Sequence, residues 1–153
     1  AVSLLAGSDP LLDKLLANGT LERELAGWRL YSPYAFGGEH QPGEAGAVVA
    51  SLNGQGANAD LHVTVFVDRQ QAQRSYDETT TELLQVQREI SGAAMQVTLS
   101  GQTGWCTGDA TRMTSCRVLV KRCVVFVLFR EPVSIASGTP LMRALDDLVD
   151  GLE

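Results

Sequence analysis

Cys106, Cys116 and Cys123 are the residues whose type and spacing most limit the chemistry open to this chain. All three cysteines fall in one β-rich stretch, WCTGDATRMTSCRVLVKRCVVFVLFRE. Nine residues, TGDATRMTS, separate the first two, and their Asp, Gly and Thr content suits a hairpin connection. Strands leaving such a connection place Cys106 opposite Cys116, at a separation a disulfide can bridge. Closing so short a loop stabilises by roughly 2–3 kcal/mol on the chain-entropy account. Cys123 is then a buried thiol beside the pair. The alternative is three reduced core cysteines in a cytosolic protein, since free cysteine is among the most buried residue types. The x9 and x6 spacings fit no zinc pattern and no C-x-x-C occurs. The expectation is therefore no metal, no redox catalysis and no cofactor.

Residues that could bind are expected elsewhere. Residues 32–46, SPYAFGGEHQPGEAG, hold two prolines and four glycines and read as a long irregular loop. Loops of that length are usually functional or mobile, and Tyr34, Phe36 and His40 give this one aromatic area and a titratable group beside Gly37 and Gly38. These three are the first candidate binding residues, against the plainer reading of a simple connector. His62, the other histidine, lies mid-strand on the face shared with Thr64 and Phe66, where a half-exposed structural role is the expectation. A second candidate surface is the cluster Arg112, Arg117, Lys121, Arg122 and Arg130, five of the twelve cations. It could meet a carboxylate-rich partner, or merely protect an edge strand from aggregation. Neither glycine-rich phosphate motif occurs, nor the G-x-S-x-G nucleophile elbow.

The elements that must position these residues follow from caps and periodicity. Asp9-Pro10 opens a short helix that Gly19 closes. Strands are expected at 27–31, 47–52 and 61–67. Asp68 and Gln71 have the spacing of a capping box, and Ala72, Tyr76, Thr79, Leu83, Val86 and Ile90 then recur as a 3.6-residue stripe. Further strands are read at 95–99, from Gly104, at 116–120 and at 123–129. The last two form a hairpin with Val120 opposite Cys123, although Lys121-Arg122 lacks the glycine or asparagine that tight turns prefer; one long strand is the alternative. Thr139-Pro140 opens a final helix over 140–152.

The order predicts one α+β domain over 1–153. It has an N-terminal helical segment (1–26), then a single antiparallel sheet with two main helices packed on one face (27–153). Gly27-Trp28 and Gly104-Trp105 each lead through strands to a helix, which raises a divergent βββα repeat against a coincidence of common order.

Composition sets the functional bounds. Apolar content of 44% and charged content of 20% describe a globular chain, and 153 residues can bury a sizeable core. A net charge of −6 argues against binding nucleic acid or anionic membrane. The longest apolar run, Cys123 to Phe129, is far short of a membrane span. Numbering opens on Ala1 rather than Met, so the chain reads as a mature or trimmed fragment, and whether a targeting segment or tether precedes it stays open. Three classes stay open. The first is a non-enzymatic extracytoplasmic binding or accessory domain that engages a protein partner or small ligand. The second is a cytosolic acidic chaperone-like or assembly subunit. The third is an enzyme whose site only the fold would assemble.

Overall fold

Hairpins dominate the architecture. In a computed structural model of the chain, the structure describes residues 29–37, 42–54, 57–89, 93–99, 102–108, 112–134 and Arg143. Seven strands and one long helix are assigned there: β1 (Arg29–Gly37), β2 (Glu44–Gly54), β3 (Ala57–Phe66), α1 (Arg69–Glu89), β4 (Ala93–Leu99), β5 (Gln102–Gly108), β6 (Arg112–Val120) and β7 (Cys123–Ser134). They form one antiparallel sheet in the order β1-β2-β3-β7-β6-β5-β4, so the class is α+β with a single sheet. The expected helices over 9–19 and 140–152 lie outside the described residues, apart from Arg143.

The 32–46 loop needs correction. β1 runs on to Gly37 and β2 begins at Glu44, so most of that segment is paired sheet. Pro33 is tolerated because β1 is an edge strand whose register shifts between Tyr31 and Tyr34, where a missing N–H breaks no ladder. At the start of β2, Gly43 has φ 81°, and its carbonyl accepts the Val67 N–H at 2.8 Å. A Cβ there would also meet the Gln71 side chain, so glycine is required twice over.

The β6–β7 hairpin forms as the alternation implied, with Val120 opposite Cys123. Lys121 takes the left-handed conformation that glycine or asparagine would adopt more easily, at φ 54°. Contacts with the end of β3 hold the turn in place. Arg122 Nη1 donates to the Phe66 carbonyl at 2.9 Å, and the Phe66 N–H donates to the Arg122 carbonyl at 2.9 Å.

Helix α1 starts where its cap predicts: the Gln71 N–H donates to Asp68 Oδ1 at 2.9 Å. The reciprocal half of the capping box is not made, since Gln71 Oε1 is buried without a hydrogen-bond partner and its side chain packs beside Gly43. Ala72 and Tyr76 lead the buried stripe, joining Phe66, Leu119 and Val124 in one cluster. α1 therefore packs on the sheet face that carries Phe66.

Opposed residues on antiparallel strands share a face, so registers separate the two sides. One side carries the rows Ala50–Leu61–Val127–Cys116–Cys106 and Val48–Val63–Val125–Val118–Gly104. The non-glycine members of both rows are 0–2% exposed. Gly104 is required there, because a Cβ would run into the Arg117 carbonyl oxygen and the Val118 side chain. No helix among the described residues is long and apolar enough to cross a membrane.

Candidate functional site

The cysteine pairing is as the spacing implied. Cys106 stands opposite Cys116 with Cα atoms 4.0 Å apart and the two sulfurs at disulfide distance, while Cys123 is buried outside the pair. All three sit on the apolar face, remote from solvent. Among the described residues no group of three His, Cys, Asp or Glu comes together that could hold a metal.

The basic cluster disperses. β6 and β7 are interior strands, so none of its members lies on a sheet edge. Lys121 and Arg122 make the turn at one end. Toward the other, Arg130 Nη2 pairs with Asp60 Oδ1 at 3.1 Å and donates to Ser51 Oγ at 3.1 Å, and Arg112 opens β6. Burial alone would raise the Asp60 carboxyl, but the hydrogen bonds from Arg130 and Ser51 outweigh it and hold it below the ordinary value. Arg117, Lys121 and Arg122 are half-buried, and of the five Arg117 is the one that lines a cleft. Tyr34 and Phe36 stand on β1 opposite Val49 and Ala47, and His40 lies outside the described residues.

Arg117 occupies the centre of the helix-side face. Val49 pairs with His62, His62 with Phe126, Phe126 with Arg117, and Arg117 with Trp105, in one cross-strand row. Tyr34, opposite Val49, extends the same register to the edge. The Arg117 guanidinium carbon lies 4.8 Å from the centroid of the Phe126 ring, a cation–π contact. His62 meets the same ring edge-on, with centroids 6.0 Å apart. Beside them α1 leaves a cleft of about 190 Å³. Arg117, His62 and Thr64 line it from the sheet, with Phe66, Val124 and Phe126 as its apolar floor; Ser75 and Thr79 line it from the helix.

Three polar atoms near this cleft are buried and without a hydrogen bond: Arg117 Nε, Tyr76 Oη and Thr80 Oγ1. Tyr76 and Thr80 lie one helical turn apart with their hydroxyls close together. Burial pushes the Tyr76 phenol up and the Arg117 guanidinium down. An arginine starts so high that Arg117 stays charged near neutrality. Leaving such donors unpaired costs about 1–3 kcal/mol each, more for a charged group. The described residues offer Arg117 a ring face but no carboxylate.

The cleft brings a histidine together with hydroxyls, and no carboxylate is among its described lining residues. The alternation CRVLV was the available signal for Arg117. It sets Arg117 and Leu119 on the face opposite Cys116, Val118 and Val120, the face that the helix covers. Compared with known proteins, the chain matches no family model and no curated relative.

Proposed function

We propose that this chain is a non-enzymatic binding or accessory domain of an exported protein, and that it holds its ligand in the cleft between α1 and the sheet. One observation carries the reading: Arg117 is half-buried beside a cavity, stacked on Phe126, with Nε unpaired. Proteins pair buried charges or coordinate something with them. A ligand in the cleft would give the Arg117 guanidinium, which lines it, a partner of opposite charge. Tyr34 pairs in backbone register with Val49, at the end of the cleft row.

Placement outside the cytoplasm rests on the Cys106–Cys116 pair, since structural disulfides persist in oxidising compartments. The strand order supports a divergent βββα duplication. β1-β2-β3 and β7-β6-β5 are arranged as two meanders that meet at β3 and β7, with β4 added outside.

Mapping fragment binding by amide shifts in a labelled sample tests the proposal. Shifts centred on His62, Thr64, Ser75 and Phe126 are the expected outcome. Shifts confined to Phe36, Arg112 or Arg130 would move the function to another surface. Thiol titration of protein recovered from its source, denatured without reductant, tests the compartment: one reactive thiol is expected, and three would place the chain in a reducing cytosol and favour the assembly-subunit reading.

A further inference from the structure

We infer that the cleft selects a small monocarboxylic acid with an aromatic or short aliphatic body, its carboxylate on Arg117 and its apolar part against Phe126 and Val124. This deepens the binding reading above and rests on it.

Charge comes first. Among the described residues, the lining contains one permanently charged group, Arg117, and no carboxylate. A monoanion neutralises it, whereas a phosphate dianion would leave excess negative charge and more acceptor oxygens than the lining can serve. A guanidinium presents a planar fork of N–H donors that matches the two oxygens of a carboxylate. Its ring-stacked position over Phe126 fixes the orientation of that fork before a ligand arrives, so less rotamer freedom is lost on binding.

Hydroxyl chemistry narrows the choice further. Thr79 Oγ1 already donates to the Ser75 carbonyl at 2.7 Å, so it faces a ligand as an acceptor. Thr64 is the sheet-side hydroxyl left to donate beside the arginine. Beside Arg117, the described lining also offers the Ser75 hydroxyl and the His62 imidazole, a small polar set that suits one carboxylate better than a nucleotide. The remaining floor, Phe66, Val124 and Phe126, rewards an apolar body.

Size agrees. An apolar protein cavity of roughly 150 Å³ holds benzene. The cleft here, about 190 Å³, has room for a ring or a four-carbon chain together with a carboxylate.

The test titrates the full chain with butyrate and benzoate, with the neutral isosteres butyramide and benzamide, and with inorganic phosphate. Amide shifts of His62, Thr64 and Phe126 and the Arg117 Nε–H resonance are followed. The acids are expected to bind at least tenfold more tightly than their amides, with the Arg117 Nε–H shifting strongly. Arg117→Gln should bring the acids down to the level of the amides, and Arg117→Lys should recover part of the difference. Should Arg117→Gln not fold, Thr64→Val takes its place, with a several-fold loss of acid binding and little change for amides. Amides that bind in the cleft as well as acids would overturn the carboxylate assignment while leaving the cleft as the binding site. Phosphate matching benzoate would overturn the monocarboxylate class. Acetylated glycyl-phenylalanine with a free C-terminus should bind more weakly than benzoate; tighter binding would replace a free acid by a chain terminus. If no probe shifts the cleft resonances, the carboxylate inference and the binding reading fall together.

Discussion

The two faces of the sheet are made from alternate residues of the same strands, yet they are built to different ends. On the disulfide face, the row Ala50–Leu61–Val127–Cys116–Cys106 is apolar throughout and at most 2% exposed. On the helix face, the row Val49–His62–Phe126–Arg117–Trp105 is half-buried at every position and carries a charge, an imidazole and two aromatic rings. The first row puts methyl groups and a cross-link together with no polar atom to satisfy. The second holds one buried donor without a hydrogen bond, Arg117 Nε, beside a cavity. Apolar packing is concentrated on one side, and polar and aromatic side chains on the other, because a strand's two-residue period lets each face be composed independently.

Leu61→Ala should break the disulfide face most severely. Leu61 is fully buried, and large-to-small changes at such sites cost about 2–5 kcal/mol in denaturant unfolding. A loss below about 1 kcal/mol would mean that this side is not the packed core. Replacing Cys106 and Cys116 together by Ala comes next, with an expected loss of roughly 2–3 kcal/mol. Unchanged unfolding in oxidising buffer would show that the pair contributes no cross-link.

Tyr76→Phe sharpens the contrast from the helix side. The Tyr76 hydroxyl is buried without a partner, so its removal should be neutral or stabilise by up to about 1 kcal/mol. A loss above about 1 kcal/mol would show that the hydroxyl is satisfied.

Much of the apolar architecture was legible in the residues. The register of Cys106 with Cys116, the Val120–Cys123 turn, the Asp68 cap and the shared face of His62, Thr64 and Phe66 all follow from local alternation and capping. Strand order did not, because it depends on pairings between distant segments. Arg112 to Arg130 therefore read as an edge cluster although β6 and β7 are interior. The glycines and prolines of 32–46 misled for a related reason: an edge strand with a shifted register accepts Pro33, and Gly43 serves a close approach to α1. Arg117 was visible only as one cation among five, since nothing local shows that a helix and a phenylalanine ring enclose it.

Asp60→Asn should have the smallest effect. Asp60 lies partly exposed at the margin of the helix face, so its pair with Arg130 contributes only a few tenths of a kcal/mol after solvent screening. Its folded carboxyl sits below the ordinary 3.8, so this contribution is complete above that value and is lost as pH falls through the lower folded value. Unfolding free energies between pH 7 and pH 3 should show the wild-type advantage shrinking only at the acid end. An advantage that persists undiminished at pH 3, or grows there, would reverse the sign.

The central claim is that Arg117 is held for a ligand rather than for the fold, and the unfolding free energy of Arg117→Met tests it most directly. Methionine keeps an unbranched, flexible stem up to the position of Nε, gives up the guanidinium stacked on Phe126, and removes the buried charge. The loss of the cation–π contact, about 0.5–1 kcal/mol, is then offset, so stability should stay within about 1 kcal/mol of wild type or rise. A loss of more than about 3 kcal/mol would contradict the account, because it would make Arg117 a structural residue of the helix–sheet interface.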